Sequence, residues 1–364
     1  MLSSATKKVT GEERLRSKMG IHRLDGVLIW SMENIRYLSG FTGDDGVLLY
    51  TNEERILLSD GRFEEQAKQE IRDSSFKKYR NKIDGLVQCL RSLRLRRLGL
   101  ESHAIPYESY RRLKEKLPRM TFIPLTTELA NLRVRKSFEE VEKIREAIRI
   151  ATQGFADCFS RFRPGVREKM AAGYLEYRMK VRGGEKPSFP TIVASGARAA
   201  LPHGEASAKK MGKRETVVVD FGTCYQGYNS DETKTLILGP PTREQKKIYE
   251  VVRKAQEKAI REIRPGISLR RIDAVAREVI TRAGYGKFFG HGLGHGIGLA
   301  VHEAPSLSPR GRGRVEEGMV FSVEPGIYIP GWGGVRLEDL IWVRGQRGEI
   351  LTILPKQLER NIVT

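Results

Sequence analysis

The chain has only three cysteines in 364 residues, Cys89, Cys158 and Cys224, an odd number with no close-spaced pair. That argues against a disulfide framework and a thiolate zinc site, and leads to the expectation of three ordinary buried or half-buried thiols. Long apolar runs are missing as well, since none approaches the roughly 18 residues that span a bilayer. The opening stretch MLSSATKKVTGEERLRSKM is charged and has no apolar secretory core. These absences lead to the expectation of a cytoplasmic protein with no membrane partner. Nucleotide fingerprints are missing too: no lysine closes a phosphate loop, and the glycines at 290–298 lack dinucleotide spacing. HEAPS, which begins at His302, lacks the second histidine of an H-E-x-x-H zinc helix. Histidine itself is scarce, with six in the whole chain.

Basic residues are plentiful, and the formal net charge is +20. They are interleaved with acids in helix-like segments such as RRLKEKLPR and RKAQEKAIREIRPG, a pattern of solvated helix faces and not of a nucleic-acid-binding tail. RGRGR at 310–314 resembles an RNA-binding fragment, but one copy beside Glu316 and Glu317 reads as a solvated loop. A hydrophobic share of 39% with 30% charged residues fits a globular chain long enough for two domains.

From Leu24 to about Leu132, short apolar runs (GVLIW, GVLLYT, RILLSD, RRLGLES) alternate with charged helical ones (FEEQAKQEI, YESYRRLKEKL). This alternation predicts an α/β domain over 1–132 with a parallel or mixed sheet. Ser137 and Glu140 then have capping-box spacing, and Val141, Ile144, Ile148, Ala151, Phe155, Phe159 and Phe162 draw one apolar stripe along a long helix. A second domain over 133–364 follows. It contains a weak repeat, in which FRPGV at 162–166 and IRPGI at 263–267 each end one amphipathic helix and precede another. Two similar halves facing each other place acids symmetrically about a central cleft.

Those acids are Asp220 in VVVDFG, Asp231 in GYNSDETKT, Glu324 in FSVEPGIY and Glu338 in GVRLEDL, each at or beside an apolar strand-like run. A carboxylate in such a setting loses hydration and tends to take up a proton or a cation. Four of them carry a charge of about −4, which two divalent ions neutralise and one leaves half unmatched. The site therefore reads as a two-metal hydrolytic centre. Histidines cluster nearby: His203 lies in LPHGEAS, and His291, His295 and His302 lie in GHGLGHGIGLAVHE. Gly290, Gly292, Gly294, Gly296 and Gly298 recur at every second position, which predicts an extended segment with one face open to close backbone approach.

The order of LPHG, VVVDFGTCYQGYNSDETKT, FFGHGLGHGIGLAVHE, FSVEPGIYIPG and GVRLEDL resembles the pita-bread metallopeptidases, in particular their Xaa-Pro aminopeptidase and prolidase branch. MENIRYLSGFTG and LLSDGRFEEQA are similar to the creatinase/prolidase N-terminal domain of that branch. The resemblance implies an α+β protein, with a pseudo-twofold pita-bread domain after a smaller α/β domain. It implies that Asp231 and Glu338 bridge two divalent ions, manganese with cobalt or zinc as alternatives, while Asp220 chelates one and His295 and Glu324 hold the other. His203 and His302 would meet the scissile peptide group, His291 would line the proline pocket, and Arg336 would brace the bridging acids. Glu324 would shuttle a proton and His302 would stabilise the oxyanion. The leading expectation is an Xaa-Pro aminopeptidase acting as a homodimer on peptides with proline second. An Xaa-Pro dipeptidase is the alternative, and a non-catalytic pita-bread module binding nucleic acid or protein is the reading from another class. Glu232 and Lys234 depart from the branch pattern, which more often has an apolar residue and arginine there.

Overall fold

The computed structural model describes residues 11–364, so residues 1–10 of the charged opening stretch lie outside the described residues. Two compact units divide at Arg133 and Val134.

In the first unit six strands form one mixed sheet: β1 (Gly26–Ile29), β2 (Val47–Thr51), β3 (Arg55–Ser59), β4 (Ser75–Lys78), β5 (Arg97–Glu101) and β6 (Thr121–Leu125). Their order is β4-β3-β2-β1-β5-β6, with β1 antiparallel to β2 and parallel to β5. The helices are α1 (Gly11–His22), α2 (Met32–Ser39), α3 (Glu64–Glu70), α4 (Lys82–Ser92), α5 (Tyr107–Lys116) and α6 (Thr127–Ala130). Val27, Ile29, Leu48 and Tyr50 pack with α1 and α2, while Leu28, Val47 and Leu49 pack with α4 and α5. Both faces of β1, β2, β3 and β5 are thus covered, which is why these four read as apolar runs, while β4 and β6 at the two edges are largely exposed and carry no such run.

The second unit is built twice over. Its first half has α7 (Phe138–Cys158), α8 (Glu168–Val181), β7 (Ile192–Ser195), β8 (Thr216–Phe221), β9 (Cys224–Tyr225), β10 (Tyr228–Asn229) and β11 (Glu232–Leu238). Its second half has α9 (Arg243–Glu262), α10 (Leu269–Arg282), β12 (Gly294–Gly296), β13 (Glu303–Leu307), β14 (Val320–Val323), β15 (Gly326–Ile329), β16 (Gly333–Arg336), β17 (Asp339–Arg344) and β18 (Arg347–Ile350), and β19 (Ile362–Val363) returns to pair with β11. One helix pair backs each sheet, giving the pita-bread α+β architecture with its internal repeat. The Ser137–Glu140 capping box starts α7, but α7 stops at Cys158, so Phe159 and Phe162 continue its stripe through a tighter turn.

Strand alternation aims the acids. On β8, Val217, Val219 and Phe221 pack with α7 and α8, so Asp220 points to the opposite face. On β14, Phe321 and Val323 pack with α9 and α10, which turns Ser322 and, two positions on just past the strand, Glu324 the other way. All three cysteines are free and buried. Among the described residues no helix is long and apolar enough to cross a membrane.

Candidate metal centre

Asp220, Asp231, His203, His291, His295, His302, Glu324, Arg336 and Glu338 all line one cavity of about 410 Å³. Its tightest part is formed by Asp231, His295 and Glu338, which each offer a ligand atom, all within 4.8 Å of one another. Asp220 and Glu324 line the same cavity. Asp220 Oδ2 accepts a 2.6 Å bond from Arg336 Nη2, and Glu324 Oε1 lies 3.3 Å from His295 Nε2.

The histidines are held in defined tautomers. His295 Nδ1 lies 3.1 Å from the Gly296 carbonyl, to which it donates, so Nε2 is left facing Asp231 and Glu324. His291 Nδ1 donates to the Gly292 carbonyl at 2.7 Å, and its Nε2 accepts from Tyr328 Oη at 3.0 Å. Arg336 Nη1 donates to that same phenol oxygen at 3.0 Å and to the Pro202 carbonyl at 2.8 Å. His302 stacks obliquely on His295 with ring centres 4.1 Å apart, and His203 sits in the loop after β7 beside Pro202.

The glycine run departs from its expected form. Only Gly294–Gly296 is a strand, because the pairing of β12 with β13 shifts register between His295 and Gly296. His291 and His302 therefore lie outside the extended segment. The close-approach argument holds where the strand exists: a Cβ at Gly294 would meet Ser322 O at 2.0 Å, and one at Gly296 would meet Ala304 O at 2.1 Å.

Charge is out of balance in this cavity. Burial, reinforced by neighbouring carboxylates, holds Asp231 and Glu338 well above the usual carboxylate range, and burial also raises Asp220. Burial works against the charge of Glu324 too, yet the His295 hydrogen bond and charge bring its carboxyl down to about 2. Glu324 in turn raises His295 against its own burial, whereas burial lowers His291 and His302. Asp220 Oδ1 and Glu338 Oε1 are buried without any hydrogen-bond donor. Two orphaned carboxylate oxygens, a further acid and an imidazole nitrogen form an oxygen-rich donor set that fits a hard or borderline divalent cation. Five acids line the cavity, the exposed Glu205 among them; of the four candidate ligands Arg336 offsets one and leaves three negative charges, more than a single divalent ion matches.

Several contributing residues carry no motif signal of their own. Thr233 Oγ1 donates to Glu338 Oε2 at 2.8 Å and accepts from Arg336 Nε at 3.0 Å. Its position two residues after Asp231, on the same strand face, is the clue that was available. Ser322 Oγ donates to Glu324 Oε1 at 3.0 Å and accepts from His295 N. Tyr328 and Val301 lie inside the quoted motifs without being singled out there, and the apolar lining residues Phe189, Pro190 and Ile192 lie outside them.

Residues 142–345 match the model of metallopeptidase family M24, and residues 13–135 match that of the creatinase/prolidase N-terminal domain. The chain is 39% identical to an Xaa-Pro dipeptidase of Pyrococcus horikoshii, with 93% of this chain and 96% of that protein covered. Among solved structures it resembles an Xaa-Pro dipeptidase from Bacillus anthracis, with TM-score 0.93, 40% identity, and 97% and 99% of the two chains covered. It also resembles an X-Pro aminopeptidase from Thermotoga maritima, with TM-score 0.89, 39% identity, and 96% and 99% covered.

Proposed function

The chain belongs to metallopeptidase family M24, and on that footing we propose that it is an Xaa-Pro dipeptidase, a prolidase, working with two divalent ions of the manganese, cobalt and zinc group. One observation carries the metal reading. Asp231, His295 and Glu338 converge within 4.8 Å in a cavity where Oε1 of Glu338 itself and Oδ1 of Asp220 have no donor. Asp231 and Glu338 are proposed to hold both ions, with Asp220 on one side and His295 and Glu324 on the other.

Ions bound there supply Lewis acidity and lower the pKa of water from 15.7 to about 7, so that a nucleophile exists at neutral pH. The remaining steps belong to the chain. Glu324, ionised in its setting, takes the proton that the attacking water gives up and returns it to the leaving prolyl nitrogen. His302 and His203, on the cavity lining, donate hydrogen bonds to the scissile carbonyl oxygen as charge grows on it. The prolyl nitrogen carries no hydrogen, so proline is selected by shape, and Phe189, Pro190, Ile192 and Val301 provide an apolar wall for its ring. Tyr328 is pushed up to about 12 by burial and stays a neutral phenol, keeping His291 and Arg336 in place.

The sequence alone leads with an aminopeptidase, but the names of the relatives lend more weight to the dipeptidase. A second reading remains, and a specific observation favours it. Apart from histidines, the only cation lining the cavity among the described residues is Arg336, already engaged with Asp220. The free carboxylate of a dipeptide calls for an unengaged cation, whereas a longer peptide does not.

Chelated protein reloaded with Mn, Co or Zn separates these readings when assayed on Ala-Pro, Ala-Pro-Ala and Met-Ala-Ser. A dipeptidase cleaves Ala-Pro with kcat/KM at least about tenfold above Ala-Pro-Ala. The reverse order assigns the aminopeptidase. Cleavage of Met-Ala-Ser alone removes proline from the account.

A further inference from the structure

Behind the cavity lies a second group of charges that the chemistry above does not use. Asp231 and Thr233 face the cavity, so strand alternation sends Glu232 and Lys234 to the opposite face of β11. Asp339, next to Glu338, likewise turns away from the cavity at the start of β17. Lys356 bridges the two backs: its Nζ pairs with Glu232 Oε1 and lies 3.0 Å from Asp339 Oδ1. Thr352 Oγ1 donates to Asp339, and Lys234 Nζ donates to the Pro355 carbonyl. The segment carrying Thr352 and Lys356 is anchored separately, because Asn361 Nδ2 donates to the carbonyls of Pro355 and Gln357 and Tyr249 Oη donates to that of Lys356.

Each acid in this cluster is thus the chain neighbour of a carboxylate assigned above to both ions, and one ammonium joins the two. The strands also meet directly at this point, where Glu338 N donates to Thr233 O at 3.2 Å. Stability alone does not account for the arrangement. A buried ion pair is commonly replaced by apolar side chains at no loss, while charges that must each be matched fix one geometry. Glu232 and Lys234, the two departures from the branch pattern, are both members of the cluster, and Glu232 and Lys234 are almost completely buried.

We propose that Lys356 is a positioning residue that sets the spacing of Asp231 and Glu338 by clamping Glu232 and Asp339 from behind, and so governs capture of the second ion. This rests on the two-ion reading above. Lys356 does not line the cavity, and its effect passes through the two strands.

The test is titration of chelated full-length protein with Mn by calorimetry, and with Co followed by its visible absorption spectrum. The variants are Glu232→Gln/Lys356→Met, which keeps the cluster charge-balanced, and Thr352→Val, which removes one hydrogen bond to Asp339. Wild type is expected to bind two ions. The double variant is expected to keep the first and bind the second roughly ten- to a hundredfold more weakly, with a changed cobalt spectrum. Excess metal is expected to restore its kcat at unchanged KM for Ala-Pro. Thr352→Val is expected to weaken the second ion by about two- to tenfold. Wild-type affinities for both ions in a folded double variant overturn the proposal. If that variant does not fold, an unchanged second-ion affinity in Thr352→Val overturns it. Wild type that binds fewer than two ions overturns the two-ion reading instead, a distinct result.

Discussion

Asp231 and Glu338 are where residue chemistry becomes measurable without substrate. Burial holds both carboxyls well above their unfolded range, so the folded metal-free chain keeps protons that the unfolded chain has already released. The folded state binds more protons between the unfolded value near 4 and the raised folded values, and stability of metal-free protein therefore falls as pH rises through that window. Metal loading expels the same protons, which makes metal affinity rise with pH. The thermal midpoint of chelated protein is expected to drop as pH rises above the unfolded carboxylate value of about 4, and to drop less in Asp231→Asn. An equal slope in the two proteins would contradict the assignment of the protons to this site. The acids and histidines that line the cavity each sit in a distinctive word of sequence. Thr233 and Tyr328 sit in the same words but are not singled out by residue type, because their work consists of hydrogen bonds to Glu338, Arg336 and His291, partners that only folding brings near.

Among the elements, β12 shows how far periodicity reaches. Glycine at every second position predicted a long open-faced strand, and only Gly294–Gly296 became one, because the register shift beside His295 ends regular pairing. A shift of that kind depends on β13 and is not written in β12 itself. The apolar strands of the first unit, by contrast, were readable since both sheet faces are buried. Helix α7 announced its start through Ser137 and Glu140 but not its end, where a tighter turn carries the same apolar stripe onward. Gly294→Ala places a methyl 2.0 Å from Ser322 O, a backbone atom that moves only with β14. That substitution is expected to cost about 1–3 kcal/mol in denaturant unfolding and to depress activity by displacing His295 and Glu324 together. Full stability in Gly294→Ala would show that β12 and β14 are looser than this packing implies.

For the whole molecule, the duplicated plan matters more than composition. The repeat of FRPGV and IRPGI foretold two helix-backed halves, and the structure turns the acid-bearing face of each half to one cavity. Net charge of +20 says little about this, because the excess is spread over solvated helices while the cavity is acid-rich. The ion cluster behind the cavity was the least legible feature. Lys356 lies more than a hundred residues from Glu232, and nothing in its local sequence marks it. The central claim is that the two halves together hold two divalent ions. Its most direct measurement is an anomalous-difference map from crystals grown with excess manganese. The account predicts two peaks between Asp231 and Glu338, one beside Asp220 and the other beside His295 and Glu324; a single peak, or none among these five residues, would contradict it.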